Sequence, residues 1–253
     1  MDAWAVAVFT FICVFGGALC GMWLQSRLKR THLSEESKTS VTLVTGLMAT
    51  LSALVLGLLI SSSKASFDTV GEKMRESSAK TILIDRMLAQ LGPEAADART
   101  YLRESYREGI LAHAPGDSRN QLAGVALRGS LHSDALEAKI RALPVKSERE
   151  VALRDRVLEL SYEMRLARWT VIEATDIPTP PLFLAVLISW LTAMFVGFGM
   201  FAPRNRVSLA AFAVGALSMA TSIFLVEEMS HPITGMIRVS QEPMLKVLDV
   251  LGK

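Results

Sequence analysis

The chain has 253 residues, of which 51% are apolar, and its mean hydropathy is +0.34. The 27 basic and 25 acidic side chains almost cancel, which excludes an acidic or basic tail protein and gives no sign of a nucleic-acid partner. Two cysteines are too few for a disulfide framework or a cysteine zinc site. A soluble domain of this length seldom needs so much apolar content.

Four charge-free stretches predict four transmembrane helices. They cover residues 3–24, 41–63, 177–203 and 207–226. At about 1.5 Å per residue, each can cross a hydrocarbon core about 30 Å thick. The first stretch lacks the basic start and the short apolar core of a signal peptide, so we expect it to be retained. Within the third stretch, the span itself is placed at residues 182–203.

Basic side chains predict how the spans are oriented. The loop at residues 25–40 carries four of them and the turn at residues 204–206 carries two, whereas the N-terminal tail carries none. The positive-inside rule places both loops in the cytoplasm. We therefore expect a multi-pass protein of the bacterial inner membrane, with both termini and residues 64–176 on the external, periplasmic side.

Residues 64–176 predict a helical domain inserted between the second and third spans. Apolar side chains recur there at helical spacing, without sustained strand alternation. No breaker follows residue 63, so the second span is expected to continue as one helix to about residue 91, where Gly92 and Pro93 end it. Further helices are predicted over residues 93–113, 121–131, 134–143 (capped by Ser133) and from the capping box Ser147-x-x-Glu150 to residue 175.

The predicted fold is thus an all-α membrane protein whose second span continues into an inserted helical domain. Its segments are a membrane pair at residues 1–63, the helical domain at 64–176, a second membrane pair at 177–228 and an amphipathic segment at 229–253. The last segment has a broad apolar face after Pro243. It is expected either to lie in the membrane interface or to pack on the long helix of the second span.

One face of the second span carries small and hydroxyl-bearing side chains. Gly46, Thr50, Ala53, Gly57 and Ser61 follow each other at steps of three or four residues. Spans one and four carry similar stripes. Such a stripe indicates either close packing of helices or a pore-lining face around an oligomer axis. The sequence leaves both interpretations open.

Three charged residues are candidates for the mouth of such a pore. Lys64 ends the second span, and Glu227 and Glu228 end the fourth. Their opposite charges would bias ion entry in opposite directions. The alternative for the glutamates is an acidic cap where the helix leaves the lipid. No carboxylate, Lys, Arg or His lies in the middle of any span, which argues against a pump or a coupled transporter.

The sequence offers no site for an enzyme reaction. It contains no phosphate-binding glycine loop, no nucleophile elbow and no cluster of metal ligands. Glu227 and His231 share a helix face but have no third ligand nearby. We therefore predict no catalytic activity, no bound metal and no cofactor.

Three segments resemble the bestrophin-like domain family of bacterial membrane proteins. They are Gly57-Leu-Leu-Ile-Ser-Ser-Ser-Lys64 with Ser66-Phe-Asp68, Gly199-Met-Phe-Ala-Pro-Arg-Asn205, and residues 227–235, where His231 and Ile233 depart from the family's Asp or Asn and Phe. The family name implies likeness to bestrophins, which are oligomeric anion channels with four spans, a pore-lining second span and an inserted helical domain. That domain is cytosolic in bestrophins, opposite to the side that the basic loops predict here.

The resemblance implies a passive ion channel, lined by the second span and assembled as a homo-oligomer in the lipid bilayer, with inorganic ions as its cargo. The alternative is a non-conducting membrane scaffold or an envelope sensor that acts through its helical domain.

Overall fold

The computed structural model describes residues 3–27, 35–112, 119–176, 181–232, 235–240 and 242–251. Within these ranges the chain is helical and contains no strand. The α-helices of the described residues are α1 (Ala3–Arg27), α2 (Glu35–Gln90), α3 (Ala96–Ala112), α4 (Arg119–Arg141), α5 (Glu148–Asp176), α6 (Pro181–Phe201), α7 (Arg206–Met229) and α8 (Glu242–Val250).

Four of these helices, α1, α2, α6 and α7, are long and apolar enough to cross a membrane. The prediction of an all-α membrane protein is confirmed, including the second span that continues as one helix beyond the membrane segment. Helix α2 ends at Gln90, and Gly92 follows with a φ of 85°. That left-handed conformation is one that glycine adopts without strain, and Pro93 then opens a short 3-10 turn.

The chain divides into two compact units. The membrane unit comprises Met1–Ala65 and Pro178–Ser230, and the helical unit comprises Ser66–Ile177 and His231–Lys253. Helix α2 contributes its first part to the membrane unit and its second part to the helical unit.

The membrane unit is held together by apolar packing of α1, α6 and α7. Val14, Leu187 and Ile223 are fully buried in one cluster. A guanidinium nitrogen of Arg204 donates to the carbonyl of Met22, so the turn between α6 and α7 lies beside the C-terminal end of α1. The two basic loops therefore begin at the same end of this unit. Lys29 and Arg30, which the orientation prediction also uses, lie outside the described residues.

In the helical unit, polar pairs fix α3 antiparallel to α2. Arg99 donates to both carboxylate oxygens of Asp85 at 2.8 and 3.0 Å, and Asp85 is buried. The hydroxyls of Ser78 and Tyr106 meet at 3.1 Å, farther back along α2 and farther on along α3. A bidentate pair of this kind fixes geometry as well as charge, because both carboxylate oxygens are bound in one plane.

Similar pairs make α4 antiparallel to α3 and α5 antiparallel to α4. Lys139 reaches Asp97 at 2.6 Å, and His132 lies 3.5 Å from Glu108, farther back along α4 and farther on along α3. Arg165 donates to Asp134 at 2.8 Å, and Arg168 donates to the hydroxyl of Ser133 at 3.0 Å. The direction of the chain therefore alternates from α2 through α3 and α4 to α5.

The prediction of two short helices around Ser133 is wrong. Helix α4 runs without a break from Arg119 to Arg141, with Ser133 inside it. The hydroxyl of Ser133 donates to the carbonyl of Gly129, four residues back, rather than capping a new helix. A serine inside a helix can bond in this way, so a cap-like residue does not by itself mark a boundary.

The capping box before α5 is confirmed. The Ser147 hydroxyl accepts from the amide of Glu150 at 3.2 Å, and the Glu150 carboxylate accepts from the amides of Lys146 and Ser147. Backbone donation from Lys146 is the main cause that lowers the pKa of Glu150.

Helix α8 completes the core of the helical unit. Val247 and Leu251 are buried in the same cluster as Ile84, Leu88 and Val157. Of the two predicted places for this amphipathic segment, the structure has it packed inside the helical unit, next to residues of the long second-span helix.

Lysine side chains connect α2 to α5 on the surface of the helical unit. Lys80 lies 2.7 Å from both Glu76 and Glu163. Hydrogen bonds from Lys73 and Lys80 lower the pKa of Glu76 to about 2. The bond from Lys80 is also the main cause that lowers the pKa of Glu163.

Candidate functional site

Helix α2 turns one hydroxyl-bearing side toward its own membrane unit. Thr45, Ser52 and Ser63 are buried there. The Ser52 hydroxyl lies 3.9 Å from the sulfur of Met194 on α6, and the Ser63 hydroxyl lies 3.1 Å from that of Ser230, just beyond α7. These contacts dock α2 on α6 and on the end of α7.

The predicted small-residue face points away from that side. Gly46, Thr50, Ala53, Gly57 and Ser61 are all exposed. A Cβ atom built on Gly46 or Gly57 would meet no described atom within 4 Å. The Thr50 hydroxyl donates to the carbonyl of Gly46 at 3.1 Å within the same helix. The structure therefore brings the five pore-lining candidates onto one open strip.

A second exposed face of α2 was not singled out from the sequence. It consists of leucines at steps of four, four, three and four residues, and at about 100° per residue it lies about 80° around the helix from the small-residue face. We call it the leucine face; its members are Leu43, Leu47, Leu51, Leu54 and Leu58. The spacing is visible in the sequence, but leucines are so common in spans that it does not indicate an exposed face.

Helix α2 is the span that its own unit covers least. Only 11% of its most apolar stretch is buried, against 39% in α1, 44% in α6 and 22% in α7. The small-residue face and the leucine face account for this exposure. A span with two bare faces leaves room for another copy of the chain or for lipid.

Gly17 and Gly21 of the first span have the opposite surroundings. A Cβ atom on Gly17 would stand 2.9 Å from the carbonyl oxygen of Thr192. A Cβ atom on Gly21 would overlap the carbonyl of Val196, and one on Gly199 would overlap the carbonyl of Ala18. In this pair of helices the small residues allow close backbone approach, as the packing interpretation predicts.

The three charge candidates lie in different environments. Lys64 is exposed and follows Ser61 on the same face of α2. Glu227 and Glu228 are buried, at 6% and 4% exposure, near the end of α7. The Ser63–Ser230 contact holds the neighbouring segments of α2 and α7 together. The burial of the glutamates could not be read from the sequence, because carboxylates at a helix end are usually solvated.

No metal centre is formed by the described residues, which contain no group of three His, Cys, Asp or Glu side chains placed to share an ion. Ile233, one of the two departures from the family pattern, lies outside the described residues.

These features define a four-span helical membrane protein with a helical domain inserted between spans two and three. The model of the Bestrophin-like domain family matches residues 12–244, and the chain belongs to that family. A crystal structure of a point mutant of a bacterial bestrophin homologue from Klebsiella pneumoniae is similar in fold. Its TM-score is 0.69 at 13% identity, with 97% of this chain and 99% of that chain covered. Comparison with curated proteins gives no match.

Proposed function

We propose that the protein is a passive ion channel, assembled as a homo-oligomer around α2 in the bacterial inner membrane. The small-residue face of Gly46, Thr50, Ala53, Gly57 and Ser61 lines the pore. The observation that carries this proposal is the open space beside Gly46 and Gly57, in a unit where Gly17, Gly21 and Gly199 stand against the backbone of a facing helix.

Membership of the Bestrophin-like domain family supports this proposal, since bestrophins are oligomeric channels. The small size of the side chains on this face of α2 supports it as well. A strip without large side chains leaves a water-filled path when several copies of α2 surround an axis, and hydroxyl and backbone oxygens solvate an ion there. The middle of the spans carries no carboxylate, Lys, Arg or His, which favours a passive channel over a proton-coupled transporter.

The charge candidates have separate roles in this proposal. Lys64 lies on the pore side of α2 and attracts anions at the mouth. Glu227 and Glu228, at the end of α7, act on the same mouth through the local field rather than by contact, since their side chains are buried. We expect the neutral variant Lys64→Gln to raise the permeability for potassium relative to that for chloride.

Ion flux in proteoliposomes tests the channel. The purified oligomer is reconstituted, and potassium and chloride gradients are applied separately. We expect flux in the unaltered protein and a loss of about tenfold or more in Gly57→Trp, because an indole on the small-residue face fills the path. The matched control is Leu54→Trp on the leucine face, which leaves both flux and oligomer size unchanged.

Each result has a distinct meaning. Block by Leu54→Trp but not by Gly57→Trp would move the pore to the leucine face. Loss of assembly in Gly57→Trp would make the small-residue face a packing seam. The absence of flux for either ion at every voltage would reject the channel and favour the membrane scaffold or envelope sensor.

The orientation is part of the proposal, with the basic loops in the cytoplasm and the helical unit in the periplasm. Leu131 is exposed on α4. In a Leu131→Cys variant without the native cysteines, a membrane-impermeant maleimide should label intact spheroplasts. Labelling only after permeabilisation would place the helical unit in the cytosol, as in bestrophins.

A further inference from the structure

Helix α5 carries an apolar stripe on the outside of the helical unit. Tyr162, Leu166 and Trp169 are 61%, 58% and 55% exposed. Their spacing of four and three residues places them side by side on one face of the helix. Tyrosine and tryptophan are the side chains most enriched in protein interfaces, and a contiguous exposed patch of this kind marks a docking surface.

Acidic side chains stand at both ends of the stripe. Asp155 and Glu159 lie on the same face before it, and Glu173 lies on that face after it; all three are exposed. Asp155 and Glu159 also meet Arg154 and Arg156. Those are exposed ion pairs between near neighbours, which contribute little and exchange partners readily. The whole surface, from Asp155 to Glu173, is called the α5 stripe below.

The second half of α2 carries a surface of complementary pattern. Arg75, Ala79, Leu83 and Arg86 recur at steps of four, four and three residues, and all are exposed. The centre is small and apolar, with Arg86 at one end and, at the other, Arg75 preceded on the same face by the exposed Glu72. The two arginines are about 16 Å apart along the helix, and Glu159 and Glu173 are about 21 Å apart along theirs. This surface is called the α2 stripe.

The two stripes lie on opposite outer sides of the helical unit. Lys80 contacts Glu163 at 2.7 Å and Thr81 lies 3.8 Å from the sulfur of Met164, so these residues mark the sides on which α2 and α5 meet. Ala79 of the α2 stripe and Leu166 of the α5 stripe each point away from that contact. Two different surfaces on opposite sides are what a head-to-tail ring requires, because each copy offers one to the copy before it and one to the copy after it.

The height of Arg86 along α2 matches that of the acidic residues at the start of the α5 stripe. Helices α2 and α5 are antiparallel, and the Lys80–Glu163 contact sets their common level. In a ring whose axis runs parallel to these helices, every copy keeps that level. Arg86, about 9 Å along α2 from Lys80, is then level with residues 155–159 of the next copy. Arg75, about 7.5 Å the other way, is level with Trp169, over which a guanidinium can stack.

We propose that the helical unit is a subunit-joining module, in which the α5 stripe of one copy docks on the α2 stripe of the next. This inference rests on the homo-oligomer of the proposed function and adds the surfaces through which its copies recognise each other. Arg86 pairs with Asp155 and Glu159, and Ala79 and Leu83 receive Tyr162 and Leu166. The mixed composition, aromatic in the middle and charged at the ends, sets the register and rejects the reversed arrangement.

Cross-linking of the full-length protein tests the head-to-tail contact. In a background with Cys13→Ala and Cys20→Ala, one chain carries Ala79→Cys and another carries Leu166→Cys. With a short bis-maleimide, we expect covalent dimers when the two chains are co-expressed and none when either is expressed alone. Both substitutions in one chain should give a ladder of bands that ends at the size of the ring.

Two results would overturn the proposal. Dimers from Ala79→Cys alone would mean that like surfaces meet, which is a two-fold contact rather than a head-to-tail one. A thiol in the Leu166→Cys variant that a soluble maleimide labels fully in the assembled oligomer, without cross-links, would show that nothing protein-like covers the α5 stripe.

Charge reversal supplies an independent readout that a folding defect does not imitate. Arg86→Glu and Glu159→Arg should each raise the dissociation concentration of the oligomer in detergent by about tenfold, and their combination should restore it. The control Leu131→Glu, on an exposed leucine outside both stripes, should leave it unchanged. If the combined variant dissociates as readily as the single ones, the two residues do not meet.

Cross-linking and ion flux, measured on the same purified protein, test the subunit contact and the channel independently. A cross-linked ladder without ion flux would keep the subunit contact and reject the channel. Flux without any cross-link would keep the channel and reject this contact.

Discussion

Two sets of glycines in the membrane unit are alike in sequence and opposite in surroundings. Gly21 on α1 and Gly199 on α6 lie against the backbone of the facing helix, where a methyl group already overlaps a carbonyl. Gly46 and Gly57 on α2 face open space. A small residue in a span therefore does not by itself indicate helix packing. The neighbouring helix decides whether the residue is packed against backbone or stays exposed.

The strongest test of this comparison is a leucine at one position of each set. Gly21→Leu forces α1 and α6 apart and should cost about 3 kcal/mol or more of unfolding free energy, since the obstacle is backbone and cannot turn away. Gly57→Leu should change it by less than about 0.5 kcal/mol. Thermal unfolding of both variants in detergent, followed by circular dichroism, measures the difference. An equal loss in both would mean that the α2 glycines are packed in the assembled protein.

A cysteine scan along α2 extends the comparison to its two exposed faces. Cysteines at Gly46, Thr50, Ala53, Gly57 and Ser61 should react with a water-soluble maleimide about ten times faster than those at Leu47, Leu54 and Leu58, because lipid or protein covers the leucine face. Rates are measured in membranes, on a background without the native cysteines. Equal rates on both faces would remove the distinction between a water-lined and a covered side.

Gly197 gives an intermediate case. A Cβ atom there would stand 3.0 Å from the hydroxyl oxygen of Thr45, which is a side chain and not backbone. Gly197→Ala should therefore cost about 1 kcal/mol, and Thr45→Ala in the same chain should recover most of it. A double-mutant cycle of the unfolding free energies checks this. Additive effects would show that Thr45 is not the obstacle.

Acid distinguishes the ion-paired helical unit from the close contact of α1 and α6 at Gly21 and Gly199. Glu76 is an acid with a folded pKa of about 2, below its ordinary 4.5, so its contribution to stability is present above pH 4.5 and is lost as the pH falls toward 2. Glu76 is partly exposed, so the effect is small. Denaturation of the unaltered protein should shift slightly over this range, and the shift should shrink in Glu76→Gln. The atoms that face Gly21 and Gly199 belong to Val196, Met200 and Ala18, which do not titrate, so the stability of that contact should not change over this pH range.

The sequence was sufficient for the architecture, because absence of charge over 20 residues and the lack of a breaker after residue 63 are strong signals. It was also sufficient for the five-residue face of α2, since helical spacing alone defines a face. It failed at Ser133, where a hydroxyl suited to capping lies inside a helix. The sequence could not show which glycines are packed and which are exposed, since that depends on Val196 and Thr192 of a helix distant in the chain.

The place of α8 has a consequence for how the protein is made. Val247 and Leu251 close a core that also contains Ile84 and Leu88, yet α6 and α7 are translated between them. The ribosome and the insertion machinery must deliver the second membrane pair before that core can close. Until then, a nascent chain keeps apolar side chains of the helical unit open to solvent. Completion of this core waits for the translation of α8, and a chaperone has a defined interval in which to protect the nascent chain.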